Sequence, residues 1–242
     1  MNIHLISFGA PFNSFHRAHQ RVLQGAENFG QFSTVNLFSE NDIFDFCPEI
    51  IPYKKFLSST RGYGYWMWKS FLISRIMELS SDGDLICYAD IGCTFNNDGV
   101  ERFKEYCNLT LEHGSLCFDL GHLERSYTKM DTYKKIFPET FDHLNTGQRC
   151  ATTFLIKNTQ DNKNIFEEIK QISIENDHFY INDVPSQEPN HEEFKEHRHD
   201  QSIFSLMSKK YKFYCIPDET YWAPVWTVAG KDYPIWATRN KF

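Results

Sequence analysis

Short, unbroken apolar runs alternate along this chain with longer stretches of helical spacing, as they do where helices cover both faces of a sheet. Ile3 to Phe8 is such a run, and it ends in Gly9-Ala10-Pro11, so a buried first strand followed by a loop is predicted. From Ser14 onward Phe15, Ala18, Val22, Leu23, Ala26 and Phe29 recur at helical spacing, and Phe32 to Phe38 returns to the alternation of a strand. Phe71, Leu72, Ile73, Ile76, Met77 and Leu79 mark a second helix, closed by the turn Ser81-Asp82-Gly83-Asp84. Leu85 to Ala89 then follows with no polar position, the composition of a central strand buried on both faces.

Beyond it the pattern predicts a helix near Val100 to His113, a strand at Leu116 to Phe118 and an irregular, polar, charged stretch to about Arg149. Ala151 to Lys157 is a further strand, and Ile165, Phe166, Ile169 and Ile172 mark an amphipathic helix. Asn182 to Lys195 has the acidic, proline-containing composition of a functional loop, Asp200 to Lys210 is a helix and Lys212 to Ile216 a strand. The tail from Pro217 is rich in prolines and aromatic residues and is expected to wrap the surface. The reading is an α/β chain, one domain over residues 1–242, with a mostly parallel central sheet flanked by helices.

Composition narrows the function. A formal net charge of −7 disfavours a nucleic-acid partner, because a polyanion needs a basic footprint. The N-terminus lacks a charged leader and no segment has the length of a membrane span, so a cytoplasmic protein is expected. Seven cysteines without a CxxC pair point to buried thiols rather than a disulfide framework or zinc knot. The aromatic content stands out, with 22 Phe, 12 Tyr and 5 Trp. Core packing accounts for most of it, and Tyr and Trp near loops also suit sugar faces.

Three segments place polar residues at strand ends or helix starts, where open α/β sheets bind ligands. In Arg61-Gly62-Tyr63-Gly64-Tyr65-Trp66-Met67-Trp68-Lys69 two glycines free the backbone just before a helix. A helix N-terminus flanked by Arg61 and Lys69 suits a diphosphate, and an aromatic staple with solvated basic ends is the alternative. Tyr88-Ala89-Asp90-Ile91-Gly92 puts an acid at the end of the central strand, where it either serves a divalent cation or caps a turn. His197-Arg198-His199-Asp200-Gln201-Ser202 precedes a helix, with Asp200 placed as an N-cap or as a functional carboxylate. An HxH pair with no third partner at defined spacing is weak evidence for zinc.

Taken in order, RGYGYWMWK, the apolar strand ending in YADIG, QRCATTFLIKN and HRHDQS resemble the GT-A fold glycosyltransferases, and within them the bacterial and viral members that build capsule, lipopolysaccharide or surface glycans. The resemblance spans about Met1 to Ile216. It implies a Rossmann-like domain whose residues 1–95 bind the nucleotide and whose residues 96–242 hold the acceptor side and the tail. It implies a nucleotide-sugar donor bound by Ser7, Phe8, Arg61, Tyr65, Lys69 and Asp90, and a glycan or glycoconjugate acceptor held by Gln148 and His199. Asp200 would be the catalytic residue, and Asp90 would bind a divalent cation, manganese or magnesium. One departure stands out: the motif is D-x-G, so only Asp90 remains of the two acids. The cation is then held by Asp90, or chiefly by donor phosphates and water, or dispensed with.

Sugar transfer requires stabilising a departing nucleoside diphosphate and activating an acceptor hydroxyl. Asp90 with a metal, Arg61 and Lys69 would serve the first, and Asp200 the second as general base if configuration inverts. Glu124, Lys129, Asp131 and Gln148 are weaker candidates, each better read as part of a solvated loop. A carbohydrate-binding protein without catalysis is one alternative. A nucleotidyltransferase is another, although the Lys-containing glycine-rich phosphate loop is absent.

Overall fold

A computed structural model describes residues 1–10 and 15–241, with Phe15 and His16 by their main chain only. The strands are β1 (Ile3–Phe8), β2 (Thr34–Phe38), β3 (Leu85–Ala89), β4 (Thr94–Phe95), β5 (Ser115–Leu123), β6 (Gly147–Arg149), β7 (Thr153–Lys157), β8 (Cys215–Pro217) and β9 (Ile235–Trp236). Seven of them form one sheet in the order β2-β1-β3-β7-β5-β6, with β8 paired to β5, while β4 and β9 form a separate pair. β1, β2, β3, β5 and β8 run one way, and β7 and β6 run against them, so the sheet is mostly parallel.

Helices cover both faces, which is why the strands read as unbroken apolar runs. Leu5, Leu85, Cys87 and Leu155 face a cluster with Val22, Ala26, Phe103 and Tyr106, from the helices His19–Phe29 and Val100–His113. Their strand neighbours Ile6, Ile86, Tyr88, Phe154 and Ile156 face Phe71, Leu72, Phe166 and Phe204 on the opposite side. Those belong to the helices Trp68–Leu79, Gln160–His178 and His199–Lys210. A fully buried Leu or Ile is worth roughly 1.5–3 kcal/mol relative to exposure, so a register slip would be heavily penalised.

The order β2-β1-β3 has a topological consequence. The chain leaves β1 toward β2 over one face and returns to β3 over the other, which opens a crevice beyond the carboxyl ends of β1 and β3. Phe8 ends β1, and Asp90 follows β3.

Two expectations need correction. The polar stretch before Arg149 is not a solvated loop. It holds the short helices Glu124–Tyr127 and Met130–Ile136, and Glu124, Lys129, Asp131 and Gln148 are all buried. Burial is tolerated because each is bonded: Glu124 accepts from Lys209 Nζ at 2.6 Å, and Gln148 Nε2 donates to Thr128 at 3.0 Å. Lys129 donates to carbonyl oxygens of Phe179, Asn182 and Val184 and so ties down the 182–198 segment. The tail does not merely wrap the surface, since β9 pairs with β4 and leads the last described residues to the crevice. The other predicted elements match within a few residues, except that β5 runs on to Leu123 and the short helices Ile43–Phe46, Pro48–Tyr53 and Lys54–Ser59 have no counterpart among them. The expected loop at Pro11 and helix start at Ser14 lie outside the described residues. Among those described, the seven cysteines are free, and no helix is long and apolar enough to cross a membrane.

Candidate active site

The crevice is a cleft of about 660 Å³ at the carboxyl ends of β1 and β3, and all three sequence segments line it. The turn Arg61–Trp66 forms one wall. Its backbone is left-handed at five consecutive residues, from Gly62 (φ 63°) through Tyr63, Gly64 and Tyr65 to Trp66 (φ 63°). Glycine is required twice: a Cβ on Gly62 would meet the Trp66 ring at 2.6 Å, and one on Gly64 would meet Leu57 at 2.5 Å. The indole of Trp68 donates to Gly62 O at 3.0 Å and clamps the turn, leaving Arg61, Trp66 and Trp68 on the cleft. Left-handed non-glycine residues cost about 1–3 kcal/mol each and persist where the surroundings enforce them, typically at ligand sites. His199 (φ 51°) and Arg239 (φ 56°) are two more, and both line the cleft.

At the floor, one lysine meets two carboxylates. Lys69, in the first turn of the helix Trp68–Leu79, is buried and donates to Asp200 Oδ2 at 2.6 Å and to Ala151 O at 2.8 Å. Its Nζ lies 3.7 Å from Asp90 Oδ1, which accepts from the Tyr88 hydroxyl at 2.6 Å. Burial by itself would lower the Lys69 pKa, but Asp200 and Asp90 outweigh it and hold the ammonium above its ordinary value. Burial pushes Asp200 up to about 6; Lys69 opposes that shift and Asp90 adds to it. The shift moves Asp200 toward the range in which a general base is most useful.

Asp200 is not a helix cap. The helix starts at His199 with Arg198 as N-cap, and no side-chain capping bond is made there. Ser202 Oγ instead accepts from Arg198 N at 3.2 Å and donates to Tyr127 O at 2.8 Å, leaving the Asp200 carboxylate to the cleft. The two histidines are struts. His199 Nδ1 donates to Ile181 O at 2.8 Å, and its ring lies 4.6 Å from the Tyr65 ring centroid. His197 accepts from Lys129 N and donates from Nε2 to Tyr180 O.

Of the residues predicted from sequence, the fold gathers Phe8, Arg61, Lys69, Asp90, His199 and Asp200 around one cleft. Three stand outside its lining. Ser7 is buried with Oγ donating to Ala89 O at 2.7 Å, tying β1 to β3. Tyr65 packs behind the wall against His199 and Phe56. Gln148 lies one layer back, its Oε1 accepting from the cleft residue Gln201 at 2.8 Å.

Thr152, Arg198 and Gln201 line the cleft within segments already singled out, whereas the polar lining residues Glu196, Arg239 and Lys241 escaped sequence reading. The tail reaches the site because Asn240 N and the Thr238 hydroxyl both donate to Gly92 O, at 3.0 and 2.8 Å. Arg21 fastens the same turn from below, donating to the Ile91, Cys93 and Asn240 carbonyl oxygens. The only sequence trace of this was the basic residues near the C-terminus, which resemble any solvated end.

The residues at Asp90 do not fit a cation held by the protein alone. A divalent metal takes six or more oxygen ligands. Here one Asp90 oxygen accepts from Tyr88, and Lys69 lies between Asp90 and Asp200. Among the described residues no three His, Cys, Asp or Glu side chains gather to hold a metal.

No protein-family model and no curated protein matches the sequence significantly. Solved structures do match. A glycosyltransferase involved in the glycosylation of the major capsid of PBCV-1 superposes with a TM-score of 0.52 at 10% identity, covering 97% of this chain and 92% of the other. An active-site mutant of LgtC superposes with a TM-score of 0.50 at 10% identity, covering 94% and 83%. The chain thus shares the fold of these proteins, the GT-A arrangement that the sequence resemblance implied.

Proposed function

We propose that this protein is a glycosyltransferase that moves a sugar from a nucleoside-diphosphate donor to a hydroxyl of a glycan or glycoconjugate. The observation that carries the reading is the convergence on one cleft of Arg61, Asp90 and Asp200, segments far apart in sequence, at the switch point of the sheet. Rim cations, Arg61, Arg198, Arg239 and Lys241, suit the diphosphate, and the rings of Phe8, Trp66 and Trp68 suit a base or sugar face. Tyr65 supports this wall from behind, Ser7 holds the β1 end in place, and Gln148 orients Gln201 toward the acceptor side.

In an inverting transfer, Asp200 takes the proton of the acceptor hydroxyl while that oxygen bonds to the anomeric carbon. The bond from that carbon to the phosphate oxygen breaks, and the nucleoside diphosphate leaves with the electron pair. The shared fold supports the reading, and a buried lysine held against two carboxylates from distant segments is more than a simple sugar-binding surface needs. The test is a calorimetric screen of uridine, guanosine, cytidine and thymidine diphosphates and their sugars, followed by analysis of the products. Binding of one of them and release of the nucleoside diphosphate is expected. Binding of none, or release of pyrophosphate, rejects the proposal.

A further inference from the structure

The two acids of the cleft come from distant parts of the chain, and the space between them is already filled by a cation. Lys69 Nζ stands 2.6 Å from Asp200 and 3.7 Å from Asp90. The ammonium is fixed from a third direction by Ala151 O at 2.8 Å, on the segment entering β7, and lies 4.7 Å from the centre of the Tyr88 ring. Its stem is buried in the first turn of a helix whose N-terminal side is clamped by the glycine turn. The lysine is therefore held where it is by four surrounding elements.

A divalent cation bridging Asp90 and Asp200 would have to displace the ammonium from Asp200 and then remain beside it, against like-charge repulsion. Tyr88 donates a hydrogen bond from its hydroxyl to Asp90 at 2.6 Å and further commits that carboxylate. The cations already in the cleft are Lys69 at the floor, between the two acids, and Arg61, Arg198, Arg239 and Lys241 at the rim, where Glu196 lies 3.6 Å from Arg198.

We propose that this chain binds its nucleoside-diphosphate ligand without a protein-held divalent cation, because Lys69 fills the place between Asp90 and Asp200 that such a cation would need. The inference rests on the transferase reading for its ligand, but the Lys69 claim can be tested without one. Lys69 is a positioning residue here. It acts through the two acids, setting their separation and charge.

Manganese binding to the nucleotide-free protein is measured by the loss of the free-ion electron paramagnetic resonance signal, for wild type, Asp90→Asn and Lys69→Ala. Wild type is expected to take up no manganese at this site. Lys69→Ala, with two uncompensated carboxylates, is expected to acquire one ion, and the further change Asp90→Asn abolishes that uptake. A wild-type site that Asp90→Asn removes overturns the proposal, as does a folded Lys69→Ala that binds no manganese. Should Lys69→Ala not fold, Lys69→Met, which keeps an unbranched stem of similar length without the charge, replaces it. In parallel, affinity for the nucleoside diphosphate is compared in chelator and in manganese. Equal affinity is expected, and tightening by about tenfold or more in manganese overturns the proposal. If no nucleotide binds under either condition, the transferase reading fails, and the nucleotide-free titration still decides the role of Lys69.

Discussion

At the scale of single residues, the proposed transfer rests on Asp200. Because its carboxylate faces the cleft rather than capping the helix, Asp200→Asn is expected to keep the fold, with its carbonyl oxygen still accepting from Lys69. Turnover should fall about 10²–10⁴-fold, as for loss of a general base, with donor affinity little changed. Paired measurements of single-turnover rate and nucleotide affinity check this, and an Asn variant with wild-type turnover refutes it. The raised pKa adds a pH dependence. A base must be ionised, so kcat/KM should fall about tenfold per unit below pH about 6 and level off above it. Linkage has the matching sign: a carboxyl raised in the folded state contributes stability at pH below about 4, its unfolded range, which is lost as the pH rises through about 6. Chemical denaturation of Asp200→Asn beside wild type should accordingly show the gap moving in the variant's favour across that window.

At the scale of elements, the glycine turn and the tail make separable contributions. In Gly62→Ala the new methyl would meet the Trp66 ring at a left-handed position, so the wall of the cleft must shift. Strain of about 1–3 kcal/mol is expected, and nucleotide affinity should drop along with melting temperature. Gly64→Ala strikes Leu57, behind the wall, and should lower melting temperature by a similar mechanism with less effect on binding. Calorimetry and thermal melts on the two variants separate these outcomes. The tail offers the opposite case. Truncation after Ala237 removes Arg239 and Lys241 but leaves β9 paired to β4. Each charge-assisted hydrogen bond to a phosphate is worth about 1.5–3 kcal/mol, so affinity should fall at least roughly tenfold while the sheet survives. Unchanged nucleotide affinity in the truncated protein would remove the tail from the site.

At the scale of the whole molecule, a chain of net charge −7 concentrates cations at the mouth of one cleft. Such an arrangement focuses field lines on a small anion while the remaining surface repels polyanions. Because the rim side chains Arg61 and Arg239 are exposed, salt should screen them; the Debye length is about 8 Å at physiological ionic strength. Nucleotide affinity is expected to weaken steadily between low and high salt, read by calorimetry at constant pH, whereas the melting temperature of the unliganded protein should change little. Affinity independent of salt would argue that the ligand is held by packing alone.

What the sequence determined by itself is the local structure: β1, β3, the flanking helices and the three polar segments at their ends. Apolar periodicity is a property of neighbouring residues, and a strand buried on both faces, such as Leu85–Ala89, has no polar position to disguise it. Arg61, Asp90 and Asp200 were legible because chemistry at strand ends and helix starts follows from that local structure. Everything that depends on a distant partner was decided by tertiary structure. Glu124 resembled a surface acid until Lys209 was brought against it, and Lys69 resembled a solvated phosphate ligand until Asp200, 131 residues later, closed on it. The reversed β7, the tail's approach to Gly92 and the backing role of Ser7 and Gln148 are likewise pairings across long stretches of chain. The physical reason is common to all of them: whether a charge or a strand edge can be buried depends on the group that meets it, and only the folded chain supplies that group.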